Sequence, residues 1–222
     1  MILGAAVCLL LVGLGGERAE GPDRGERILE RVEEQFAGIR DYAVTLDVTA
    51  DVERLSVPPM KAVMYFKRPD RVRFVSEGFA LLPREPLGFV LGNLRQKFAV
   101  ESVREDSAGY QLVLLPRNDR TKLRRILATV DSARFLPVGV SSPQLDGRMM
   151  SAHLEYVRAA GFWVPSVMDV RFEGPEGGED PPGQEPARRP GLPRKGRITV
   201  RYSGHRINTG LPDSLFTEPR EP

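Results

Sequence analysis

Between Tyr42 and Val52 the chain alternates in character. Tyr42, Val44, Leu46, Val48, Ala50 and Val52 are apolar, while Thr45, Asp47, Thr49, Asp51 and Glu53 are polar. A period of two puts the two sets on opposite faces of a strand, one dry and one wet. A strand of about a dozen residues spans roughly 40 Å, long for a small sandwich and more typical of a barrel-like sheet. Just upstream the period is different. Ile28, Leu29, Val32, Phe36 and Ile39 recur at spacings of three and four within Glu26 to Ile39, which predicts an amphipathic helix ending near Gly38.

More strands follow. Met60, Ala62, Met64 and Phe66 alternate with Lys61, Tyr65 and Lys67. Val72, Phe74 and Ser76 return on the far side of Pro69-Asp70, where proline pre-sets a turn, so a hairpin is expected. Phe98 to Val103, Tyr110 to Leu115, Leu123 to Val130, Ala152 to Val157, Trp163 to Phe172 and Arg197 to Tyr202 are further strands separated by short turns. The fold class is α+β, mainly antiparallel β, with the sheet closed or partly closed and one helix packed on it.

Three segments depart from this pattern. Met1 to Gly16 (MILGAAVCLLLVGLGG) has no charge. At about 12–15 apolar residues it is short for a bilayer span and fits an export signal. No Lys or Arg precedes it, so residues 1–20 are either a signal peptide or an N-terminal anchor, and an upstream start stays open. Cys8 lies inside this run with Val7 before it, which suits a small hydrophobe better than an acylation site. Phe79 to Leu91 is apolar but broken by Pro83, Pro86 and Gly88, as a loop or short helices covering an apolar surface would be. Gly174 to Gly196 is rich in Pro, Gly and charge and has too little apolar surface to order itself, so a mobile loop is expected there. Residues 21–222 then form one domain.

Composition narrows the function. The 222 residues carry 32 Lys+Arg against 30 Asp+Glu, a net charge of +2, which argues against nucleic acid as a partner. One Cys and two His, His153 and His205, leave no basis for a disulfide framework or a zinc site. No phosphate-binding loop, His-Glu-x-x-His pair or nucleophile elbow occurs. Asp47 and Asp51 share the wet face of their strand, where solvated carboxylates are ordinary. His153 and His205 read as surface or hydrogen-bonded histidines. Arg117 to Arg125 (RNDRTKLRR) reads as a solvated turn, with contact to anionic groups as the alternative. The large apolar stripes, rich in pliable Met60 and Met64, suit either a packed core or a surface that accepts varied apolar shapes.

The order of these pieces resembles the outer-membrane lipoprotein carrier family, the LolA/LolB-like proteins. The matching segments are ERILERVEEQF, IRDYAVTLDV, MYFKRPDRVRFVSEGFALLP, GFWVPSVMDVRF and INTGLPDSLF, and the Lys-Arg-Pro-Asp-Arg-Val-Arg hairpin is the most specific of them. The resemblance implies an incomplete, half β-barrel with a helical lid over an apolar cavity. It also implies a carrier that shields acyl chains of lipoproteins or lipids in the periplasm. Exposing such chains to water costs ~0.8 kcal/mol per CH₂, so one C16 chain represents roughly 12 kcal/mol. The implied cavity and lid residues are Ile28, Leu29, Val32, Phe36, Val44, Leu46, Val48, Met60, Met64, Phe66, Val72, Phe74, Phe79, Leu81 and Leu82. Arg40, Arg68, Arg71 and Arg73 are four candidates for the arginine such carriers use to contact the lid. No catalytic residue, metal or cofactor is implied. The expected partners are acyl chains, with an inner-membrane exporter and an outer-membrane acceptor, and the expected state is a monomer. The alternative is a sensor or interaction module on the same scaffold, with the charged insert as its recognition arm.

Overall fold

The computed structural model describes residues 21–53, 56–76, 94–118, 125–143, 149–174 and 195–217. The chain begins with helix α1 (Pro22–Phe36). Pro22 supplies a preset φ where a helical N–H has no partner, and Asp23 sits in the first turn, where the helix dipole favours an anion. The helix starts a turn earlier than the expected Glu26 and stops before Ile39. Beyond Gly38, Ile39 is buried on its own account.

Ten strands follow: β1 (Asp41–Val52), β2 (Met60–Lys67), β3 (Arg71–Ser76), β4 (Phe98–Asp106), β5 (Gly109–Pro116), β6 (Ile126–Val130), β7 (Pro137–Pro143), β8 (Met149–Ala159), β9 (Phe162–Glu173) and β10 (Lys195–Ile207). A short helix α2 (Leu94–Lys97) precedes β4, and a 3-10 turn (Asp213–Phe216) follows β10. All ten strands form one sheet in the order β3-β2-β1-β10-β9-β8-β7-β6-β5-β4, with antiparallel pairing throughout. No pairing joins β3 to β4 among the described residues, so the sheet is open.

The expected hairpin is present. β2 and β3 pair from Ala62–Ser76 to Lys67–Arg71, and the loop Arg68–Asp70 contains a cis Arg68–Pro69 peptide bond. Strand β7 was not anticipated. Its sequence PVGVSSP carries prolines at both ends, a glycine and two serines; Val140 lies opposite Ala128 and Ala152, Ser142 opposite Met150, and buried Pro137 opposite Val130. Strand β10 begins at Lys195, two residues inside the segment expected to be a loop. Gly196 pairs with Phe172 there, and a Cβ at Gly196 would collide with that ring. The remainder of that insert, residues 175–194, lies outside the described residues, as do 1–20.

Helix α1 packs chiefly on β4, with further contact to β9 and α2. Its buried stripe is the one its spacing dictates: Ile28, Leu29, Val32 and Phe36, with Gly25. Gly25 lets the helix approach the sheet closely, because a Cβ there would overlap Val100. At the other end Phe36 meets Tyr156 with ring centroids 6.5 Å apart.

The segment after β10 crosses to the far side of β1–β3. Asn208, in the left-handed region at φ 56°, accepts from Arg40 N at 2.7 Å and donates from its amide to Gly38 O at 2.9 Å. Asp41 is buried, and its carboxylate accepts from Thr209 N at 2.8 Å and Gly210 N at 3.1 Å. Further on, Lys67 donates to Leu211 O at 2.6 Å and Arg73 to Leu215 O at 2.6 Å. These bonds tie the chain's end to the hairpin next to the open edge.

Candidate functional site: the inner face of the sheet

Residues directly opposite each other in an antiparallel ladder share a face. Tyr42 opposes Phe66, Val44 opposes Met64 and Val48 opposes Met60; on the next strand Met64 opposes Phe74 and Phe66 opposes Val72. The structure thus brings the expected residues of β1, β2 and β3 onto one inner face. Val44, Leu46, Val48, Met64 and Phe66 are buried in the same core cluster as Ile28, Leu29, Val32 and Phe36 of α1. Met60 and Phe74 are partly buried against that cluster. Val72 is 48% exposed, so the inner face runs out to solvent at the edge strand. Phe79, Leu81 and Leu82 lie outside the described residues.

The same face continues well beyond the expected set. One row crosses eight strands, each member opposite the next: Ala50, Ile198, Val170, Ala152, Val140, Ala128, Leu112 and Val103. A second passes from Val48 to Val200, Met168 and Leu154. The sequence signal for these residues was the period two of each strand. Only the register between strands joins the stripes into one surface.

Three phenols interrupt the apolar inner region without charging it. Tyr42 shares a hydrogen bond of 2.8 Å with Nδ1 of His205, on which it stacks. Tyr156 donates to Pro137 O at 2.7 Å, and Tyr202 lies 3.8 Å from the Met168 sulfur. Burial pushes all three phenols above their ordinary pKa, so each stays neutral. Burial also holds the His205 imidazole below its ordinary value, which favours the neutral ring. Among the described residues no buried side-chain nitrogen or oxygen lacks a hydrogen-bond partner.

The inner rows named above carry no charged residue, and the charges of the neighbouring positions lie on the other face. Lys61 lies 3.6 Å from Asp47, and Asp51 is exposed opposite Arg197. Hydrogen bonding from Arg197 holds the Asp169 carboxyl below its usual range, and exposed His153 sits opposite Asp169. Among the described residues no group of three or more His, Cys, Asp or Glu is placed to hold a metal ion.

The four candidate arginines take distinct places. Arg68 donates to Ile39 O at 2.8 Å and to Phe36 O at 2.7 Å, which ties the hairpin to the backbone at and just beyond the end of α1. Arg71 lies 3.2 Å from Asp213 and stacks on Phe216, while Arg73 binds the same C-terminal segment. Arg40 bonds through its backbone to Asn208. Of the four, Arg68 is the one whose guanidinium reaches the end of the helix, from the tip of the β2–β3 hairpin.

No protein-family model matches the sequence, and no curated protein matches it. Solved structures do. A DUF1329 family protein from Desulfovibrio piger superposes with a TM-score of 0.63 at 13% identity, covering 89% of this chain and 98% of its own. A putative outer membrane lipoprotein-sorting protein domain from Vibrio parahaemolyticus gives 0.61 at 12%, covering 88% and 97%. The fold is LolA-like. A LolA superfamily protein from Nitrosomonas europaea agrees, with a TM-score of 0.54 at 12% identity and coverage of 87% and 97%. At these identities the likeness concerns the fold. Within that LolA-like fold, no helix among the described residues is long and apolar enough to cross a membrane.

Proposed function

We propose that this protein is a periplasmic carrier that sequesters acyl chains of lipoproteins or lipids on the inner face of its sheet and delivers them to the outer membrane. The observation that carries the reading is the continuous apolar face, lined from Val44 to Phe74 and open to solvent at Val72. A guest entering at β3 would meet apolar side chains and neutral phenols, with no charge to strip of water. The LolA-like fold supports the same reading, since two of the similar structures are a lipoprotein-sorting domain and a LolA superfamily protein.

On this reading residues 1–20 direct or anchor the export of one lipid-binding domain, residues 21–222. Binding is reversible burial, and no covalent bond is made or broken. Helix α1 serves as cover on the β4–β9 side, and the guest occupies the β1–β3 side. Native mass spectrometry after gentle purification, together with titration of a fluorescent fatty-acyl probe, tests the proposal. Co-purifying lipid and saturable uptake are expected. Neither lipid nor uptake would sink it.

A further inference from the structure

Helix α1 sorts its charges to the two sides of its buried stripe. On one side Glu26, Glu30 and Glu33 are matched by Arg117 and Arg95, at 3.1, 3.2 and 2.8 Å. On the other, Arg24, Arg27 and Arg31 recur at spacings of three and four. They border an open depression of about 400 Å³ floored by Ile28 and Phe135. This side is only partly balanced. Arg24 pairs with Glu105 at 2.5 Å and Arg31 reaches Glu34 at 3.5 Å, whereas Arg27 is exposed.

Aromatic rings hold the guanidinium groups. Arg24 lies over Tyr110 and Arg31 over Phe135, each 5.4 Å from the ring centroid, and the two rings stack at 5.9 Å. Phe135 occupies the left-handed region at φ 54°, an unfavourable conformation for a bulky residue that the turn at Asp131 maintains. Its neighbour Arg134 and the nearby Arg158 lie on Trp163, at 5.4 and 5.1 Å. Stacked guanidinium groups are weakly hydrated and oriented for bidentate binding of phosphate.

We infer that this cleft docks the protein on an anionic phospholipid bilayer, with Arg24, Arg27 and Arg31 gathering headgroup phosphates over the apolar floor of Ile28 and Phe135. Three observations favour a bilayer over a polyanion in solution. The floor is apolar, which suits a ligand with an apolar part beside its phosphate. Trp163, half-buried between two arginines, is the amphipathic ring suited to the membrane–water interface. The near-neutral chain lacks the broad basic excess that nucleic acid requires. Docking here is independent of what the inner face holds.

The test is co-sedimentation of the full chain with phosphatidylethanolamine–phosphatidylglycerol vesicles and with phosphatidylcholine vesicles. The wild type should bind the anionic vesicles selectively and release them as salt is raised. Each arginine near such a surface contributes about a fivefold gain in binding, so Arg27→Gln should weaken it about fivefold and Arg27→Gln with Arg31→Gln roughly twenty-fivefold. Arg201→Gln, at an exposed position opposite Asp47, removes the same charge elsewhere and should leave binding intact. Equal binding to both vesicles, an equal loss in Arg201→Gln, or equally tight binding to poly-glutamate would overturn the inference. Uptake of the acyl probe, measured on the same preparations, reports separately on the carrier reading.

Discussion

Two valines on the edge strand β3 are almost equally exposed and face opposite ways. Val72 is 48% exposed on the inner face, opposite Phe66; Val75 is 46% exposed on the outer face, opposite Val63. Substituting either by Asp should change folding stability little, within roughly 1 kcal/mol, because exposed sites away from special features tolerate change. Binding should separate them. Fully burying a valine is worth about 1.5–3 kcal/mol, so covering the exposed half of Val72 with an acyl chain contributes about 1 kcal/mol. Placing a carboxylate there adds a desolvation cost of about 1–3 kcal/mol. Val72→Asp should therefore weaken binding by about 2–4 kcal/mol, a loss of roughly thirtyfold or more in Kd. Val75→Asp should bind as the wild type does. The assay is fluorescence titration with a fatty-acyl probe, paired with denaturation curves. Equal losses in the two variants, or full affinity in Val72→Asp, would refute the assignment of the inner face.

Other expectations concern the scaffold. Asp41→Ala removes the acceptor for Thr209 N and Gly210 N and should cost about 1–2 kcal/mol, lowering Tm by about 2–8 °C, with Asp41→Asn recovering part of the loss. Gly25→Val forces a side chain into Val100 and should lower folding stability by about 1–3 kcal/mol as α1 lifts from β4, read from denaturation curves; an unchanged stability would contradict the close packing. His205 is held below its ordinary pKa of 6.5, so the unfolded chain binds the proton more readily. Its contribution to stability is present above 6.5 and is lost as pH falls toward the folded pKa. His205→Gln should flatten the dependence of stability on pH in that window, read from denaturation curves between neutral and acidic pH.

The sequence carried the local pieces well, for identifiable reasons. The three-four spacing of Ile28, Leu29, Val32 and Phe36 and the alternation from Tyr42 to Val52 each bury one face, and a buried face leaves a strong pattern. Strand β7 was illegible because serine, glycine and proline carry little apolar periodicity, and its place comes from pairing with β6 and β8. The extent of the inner face was hidden for a related reason. Ala152, Ala128 and Leu112 lie far apart in sequence, and register alone aligns them. Hydrogen bonds of the C-terminal segment, such as those of Asn208 and Asp41, depend on a left-handed residue and a carboxylate meeting across the fold, which no spacing announces.

The carrier reading stands or falls on where an acyl chain sits. A fatty acid bearing a photoactivatable group near its tail, bound to the full chain, irradiated and mapped by peptide mass spectrometry, reads that position directly. The account predicts adducts on Met64, Phe66, Val72 and Phe74, all on the inner face of β2 and β3. Adducts confined to outward-facing positions such as Val63 and Val75, or scattered over the surface without saturation, would contradict it.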